Sequence, residues 1–227
     1  PSLFCRRFNL LSKVSCKDSV DILMYVLFLL LMGQHLASGP LHEWLGVGLF
    51  VCFLAHNILN YRWYKALFKG KYPPQRIIQT AINFLLMLSF IGCMLSALMI
   101  SGVVFQDMRI PGMMMFGRKL HMASTAWCFV FMSMHLGFHI RAPKQKAVKI
   151  AFYTGTSAAF VYGICHFIIR RFYEELFLLT EFKWFDYDKH LIEYLFETMC
   201  ISLLFVMLTH IIKKIMSITK ESKKNAK

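Results

Sequence analysis

Acidic residues are scarce in this chain: 12 Asp and Glu stand against 26 Lys and Arg, and charged residues of both signs fill only 17% of 227 positions. Neither CxxC nor CxxCH occurs among the seven cysteines at 5, 16, 52, 93, 128, 165 and 200, which removes a structural zinc site and covalent c-type haem attachment. An odd number of cysteines, most of them inside apolar runs, also argues against a disulfide framework. No P-loop, dinucleotide fingerprint or nucleophile motif is present. The opening residues (SLFCRRFNLLSK) carry charge but no signal-peptide cleavage pattern, and the chain begins at Pro1, as expected of a processed or incomplete N-terminus.

What is present is apolar. Hydrophobic residues make up 57% of the chain and the mean hydropathy is +0.52, richer than soluble domains of this length, so the expected class is an all-α integral membrane protein. A net charge of +14 invites a nucleic-acid reading. The basic residues, however, lie between apolar runs and not on an aromatic-interleaved surface, so no nucleic-acid partner is expected and the lipid bilayer is.

The pattern predicts six spans, at about 22–37, 41–61, 77–106, 120–140, 150–169 and 191–212. The third run, free of formal charge for thirty residues, is longer than a bare span and should end near Ser101 and Gly102. Residues 1–19 read as a cytoplasmic N-terminal segment and 20–141 as a four-helix core. Residues 142–217 read as a two-helix extension carrying an amphipathic outer segment at 172–189, and 218–227 as a basic cytoplasmic tail. With both termini inside, cytoplasmic segments hold 19 Lys and Arg and outer loops 7, the asymmetry the positive-inside rule requires.

Two matched spacings organise the chain: His42 and His56 in HEWLGVGLFVCFLAH, and His121 and His135 in HMASTAWCFVFMSMH. Fourteen helical steps of about 100° fall about 40° short of four turns and rise about 21 Å, so the two members of each pair face one way near opposite membrane surfaces. Two such helices offer four imidazoles at two depths, the arrangement that holds two stacked, non-covalent b-type haems with a histidine on each side of each iron. In the six-span topology the second and fourth spans are parallel. His42 then shares the outer depth with His121, and His56 the inner depth with His135. Two histidines per iron leave no open coordination position, so such haems pass electrons and do not bind substrate at the metal.

Other residues have competing accounts. Gly46, Gly48, Ala123, Ser124, Ala126 and Gly137 are small enough to admit a macrocycle. Ser89, Gly92, Cys93 and Ser96 line one face of the third span, with helix packing as the simpler account and haem clearance as the other. Arg62, Arg118, Lys119 and Arg141 suit haem propionates and equally suit membrane topology. Met113 to Met115 belong to a predicted loop at 105–119 that rests on the membrane or laps a porphyrin. His139 competes with His135 as the inner ligand. His35 and His166 belong at the outer surface and His210 near the inner one, so His166 and His210 should not share an iron. His190, Glu193 and Glu197, at i, i+3 and i+7, read either as a divalent-metal or proton-linked site or as the acidic start of a helix.

Residues 20–141 resemble the flavinylation-associated cytochrome family, a prokaryotic four-helix membrane domain. The stretches that carry the likeness are LHEWLGVGLFVCFLAHNILNYRWYKALFKGKY, with HEWLG and H-N-x-x-N-x-x-W-Y-K in order, and RKLHMASTAWCFVFMSMHLGFH. The chain is more distantly similar to ferric-reductase-like and hydrogenase-type cytochrome b subunits. The resemblance implies a di-haem b protein of the cytoplasmic (inner) membrane, with His42, His56, His121 and His135 as ligands and an extracytosolic flavin-carrying partner. Residues 142–227 are additional to the short family form. No flavin-attachment or NAD-binding sequence is recognisable, so the donor and acceptor belong to other members of a complex or to a diffusible quinol. The competing expectation is a non-catalytic membrane adaptor or transporter subunit whose histidines are polar packing residues.

Overall fold

The structure, a computed structural model, describes residues 15–33, 39–140, 143, 145–181 and 189–225; of residues 220, 221 and 223–225 it describes the backbone alone. Its elements are helices α1 (Cys16–Met32), α2 (Pro40–Leu59), α3 (Tyr61–Ala66), α4 (Pro74–Ile100), α5 (Met114–His139), α6 (Lys146–Ile169), α7 (Phe172–Phe177) and α8 (Leu191–Asn225), with a 3-10 turn at Gln106–Met108. No strand occurs among the described residues. Four helices, α2, α4, α6 and residues 191–219 of α8, are long and apolar enough to cross a membrane. By length and composition this is a multi-pass membrane protein.

The helix starts follow from local chemistry. At α1, Ser15 N–H donates to Asp18 Oδ2 at 3.1 Å in a capping box. Pro40 and Pro74 open α2 and α4, where a missing N–H removes no intrahelical bond. Helix α4 stops at Ile100, and the Ser101 hydroxyl then accepts from Phe105 N–H at 2.8 Å.

Helix α5 begins at Met114, six residues before the expected start, so Met114 and Met115 occupy its first turn and not a loop. The reason is packing: a Cβ at Gly117 would come within 2.8 Å of Ile100, so only glycine lets this early turn press on the end of α4. At 26 residues α5 has ample length. His121, His135, His139, Ser124, Thr125 and Ser133 make it more polar than the four apolar helices.

Contacts divide the chain into two units, 1–70 and 71–227. In the first, Asp21 near the start of α1 meets His56 near the end of α2, and Gly48 faces Leu27 further along, so the two helices are antiparallel. In the second, Asn83 meets His135 and Ser96 meets His121, which makes α4 and α5 antiparallel. His166 meets Glu197 and Gly163 meets Leu204, an antiparallel α6–α8 pair. Ser133 meets Ser202 and Gly137 meets Thr209, so α5 and α8 are parallel. Within this unit α4, α5, α6 and α8 run in alternating directions.

The segment after α6 is less superficial than expected. Phe172, Glu175 and Leu176 of α7 are buried, and Trp127 Nε1–H donates to the Leu176 carbonyl at 2.9 Å. Residues 182–188, with His35 and Arg141, lie outside the described residues. The basic tail continues α8 as helix to Asn225.

Candidate functional site

The first unit holds His42 in the first turn of α2 and His56 in the last. His56 Nδ1–H donates to Asp21 Oδ1 at 2.6 Å. A carboxylate only accepts, so the Nδ1 proton is fixed and the Nε2 lone pair is the ring's donor electron pair. Asn60 lies one turn on, donates to the His56 carbonyl at 2.8 Å, and places its amide nitrogen 3.4 Å from both ring nitrogens. Asn57 donates to the Phe53 carbonyl at 2.6 Å and accepts from the Tyr64 hydroxyl, which ties α3 to the end of α2. Burial pushes the Tyr64 phenol up, keeping it the donor in that bond.

In the second unit both histidines of α5 turn their Nδ1 atoms to α4. His121 Nδ1 lies 3.1 Å from Ser96 Oγ and 3.2 Å from the Cys93 carbonyl. The Ser96 hydroxyl itself donates to Cys93 O at 2.8 Å, so Nδ1–H is the shared donor. His135 Nδ1 lies 2.7 Å from Asn83 Oδ1. Three of the four histidines singled out by spacing therefore share one arrangement: Nδ1 bound across a helix boundary by an oxygen, ring orientation set, electron pair on Nε2. His42 is half-buried.

The small residues divide. A Cβ at Gly46 would meet nothing within 4 Å, and one at Gly48 only Leu27 Cδ1 at 4.0 Å. Gly137, by contrast, is committed to packing, since a Cβ there would fall 2.8 Å from Thr209 Cβ and 3.0 Å from the Val206 carbonyl. Ala126 is fully buried, and Ser124 faces Gly92 and bonds the Leu120 carbonyl at 2.6 Å. Gly137, Ser124 and Ala126 thus serve helix contact, which corrects the expectation that they clear space for a macrocycle. Ala123 is half-buried.

Among the cations, Arg62 and Arg118 are exposed, and Lys119 is paired with Glu181 at 2.6 Å. Met113, Met114 and Met115 are exposed. His139 is exposed and stacks on His135 with ring centroids 4.6 Å apart.

The expected His190, Glu193, Glu197 face does not converge. Among the described residues no group of three or more His, Cys, Asp and Glu forms a metal-ion cluster. His190 is exposed, and its carbonyl accepts the Tyr194 N–H at the start of α8. Glu197 is buried and turns instead to Lys189 and to His166 Nδ1, the latter at 3.1 Å. Arg170 lies over the Tyr194 ring and donates to Thr198 at 2.9 Å beside them. His210 is on α8, its Nε2 buried with no hydrogen-bond partner among the described residues.

Asp21, Asn83 and Ser96 as histidine anchors escaped the sequence reading. Ser96 has helix packing as its simpler account, whereas Asn83 carries a usable signal: an amide in a charge-free apolar run needs a partner. Compared with family models, with curated proteins and with solved structures, the chain matches none.

Proposed function

We propose that the chain is a transmembrane electron-transfer cytochrome b of the flavinylation-associated type, holding two b-type haems between two pairs of histidines. His42 and His121 ligate the outer iron and His56 and His135 the inner one. The observation that carries this reading is the shared anchoring of His56, His121 and His135 through Nδ1, which suits imidazoles whose Nε2 atoms bind iron. Bound there, haem would supply a reversible one-electron carrier.

The protein's own part is to fix ring orientation, exclude water and leave no coordination site open. Gly46 supports the reading as a small position on the histidine helix with space above it. Helices α1 and α5 join the four apolar helices as spans, which gives the six-span, both-ends-inside topology. The alternating directions within each unit agree with it. In this reading the protein lies in a prokaryotic cytoplasmic membrane. Electrons pass between a quinol or cytoplasmic donor and an extracytosolic, flavin-carrying acceptor within a larger complex.

A second reading has its own support, because each anchored histidine is also an interhelical hydrogen bond: α1–α2 through Asp21, α4–α5 through Ser96 and Asn83. Such bonds glue membrane helices with no cofactor. Purification separates the two. Two haems per chain by pyridine haemochrome, with Soret and α bands that shift on dithionite, is the expected result; a colourless, folded protein leaves only the packing role. His42→Ala and His121→Ala should each remove the same haem and spare the other.

A further inference from the structure

We propose that Asp21 is a positioning residue that sets the redox potential of the iron held by His56, an assignment that rests on the di-haem reading above. The contact from His56 Nδ1 to Asp21 Oδ1, at 2.6 Å, is short enough for a charge-assisted bond. Asp21 joins α1 to α2, and its side chain is 43% exposed. In the di-haem reading the other ligand of that iron is His135, and its anchor is chemically different, because His135 Nδ1 is held at 2.7 Å by the neutral amide oxygen of Asn83.

That difference has a redox consequence. A carboxylate drawing on Nδ1–H gives the imidazole imidazolate character and makes Nε2 a stronger donor. Ferric iron, with one more positive charge than ferrous, gains more from that donor, so the couple moves to lower potential. With haem held there, the change would be one electron gained or lost by the iron, and His56 would keep its Nδ1 proton, donated to Asp21, throughout. An amide acceptor orients the ring equally well with a weaker pull. Asp21 therefore acts through His56 without touching the metal, and it biases the inner haem toward giving its electron up.

The test is a pair of isosteric exchanges in the full-length protein purified in detergent. Asp21→Asn keeps an oxygen acceptor and removes the charge. It should keep two haems by pyridine haemochrome and raise one of the two midpoint potentials in a spectroelectrochemical titration. The expected size is about a tenfold rise in the ferrous-to-ferric ratio at fixed potential, or about 59 mV for a one-electron couple. Asn83→Asp should lower the midpoint of the same haem, and the low-spin ferric electron paramagnetic resonance signal of that haem should move in opposite senses in the two variants. If Asp21→Asn does not assemble, Asp21→Ser, which also offers a neutral oxygen, decides: a raised midpoint with two haems bound supports the role of Asp21, and unmoved midpoints overturn it. Two bound haems with both midpoints unchanged would overturn the role of Asp21 and leave the di-haem reading standing. A wild-type protein without haem would overturn both.

Discussion

His121 Nδ1 and Ser96 Oγ stand 3.1 Å apart across the antiparallel α4–α5 contact, with the Cys93 carbonyl 3.2 Å from the same nitrogen. The ring therefore has two acceptors, whereas His135 Nδ1 donates to the Asn83 side-chain oxygen at 2.7 Å. The two sites should answer substitution differently. Ser96→Ala leaves the Cys93 carbonyl in place and should cost about 0.6 kcal/mol, the average for a polar contact between membrane helices. Asn83→Leu leaves the Nδ1–H without that acceptor and should cost about 1–3 kcal/mol. Thermal unfolding in detergent, followed by circular dichroism, measures both; equal losses would mean that the Cys93 carbonyl does not substitute for the hydroxyl.

Glycines at helix contacts give a second, purely steric prediction. A Cβ at Gly163 would stand 2.4 Å from the Cys200 carbonyl oxygen, and backbone cannot step aside as a side-chain end can. Gly163→Ala should therefore push α6 off α8 and destabilise by about 1–3 kcal/mol. Gly46 is the control, since Gly46→Ala meets nothing within 4 Å and should hold or raise the melting temperature through the better helix propensity of alanine. Loss of haem from Gly46→Ala with the fold intact would identify that space as the place a macrocycle occupies.

The exposed pair Lys119 and Glu181 makes the acid limb of the pH profile testable. The hydrogen bond and charge of Lys119 hold the Glu181 carboxyl below its ordinary value of 4.5. A carboxyl whose pKa is lower folded than unfolded contributes stability that is complete above the unfolded value and lost as pH falls through the folded one. Wild type should lose melting temperature faster than Glu181→Gln as pH falls below about 4.5, and the two should run parallel at neutral pH. The effect should also shrink in high salt, because both side chains are solvated.

Much of this architecture is legible in the sequence because lipid imposes a strong rule: a span must be long and apolar, and its neighbours basic or turn-forming. The third expected span, at 77–106 with a stop near Ser101, corresponds to α4, and 150–169 corresponds to α6. The limits of that rule show at α5, where polar residues and Gly117 obscured the helix start. Which side chains meet was less legible. Asp21 and His56 are 35 positions apart and His135 and Asn83 are 52 apart, and hydropathy carries no information about contacts at that range. Glu197 was read with His190 and Glu193 because they share a helical face, whereas its actual partners, Lys189 and His166, come from the preceding segment and from α6.

That cluster supports the last prediction. Glu197 is fully buried on α8; its Oε1 takes Lys189 and His166, and Lys189 also stands 3.7 Å from Glu193. Removing one member of a buried pair strands the other charge, so Glu197→Leu should cost about 3–5 kcal/mol. Replacing both ions removes the desolvation cost together with the attraction. Glu197→Leu with Lys189→Met should therefore recover most of that loss, and the double-mutant cycle should give a coupling well above that of a surface pair. Alkaline unfolding adds a sign. Burial pulls the Lys189 ammonium down, but the hydrogen bond and charge of Glu197, helped by Glu193, outweigh it and leave Lys189 above its ordinary 10.5. A lysine raised on folding stabilises fully below its unfolded value and loses that contribution as pH rises through the folded one. Wild type should therefore lose stability above about pH 10.5, and the double variant should lack that step. A double variant as unstable as Glu197→Leu alone would show that Glu197 packs α8 on α6 through His166 and not through the lysine.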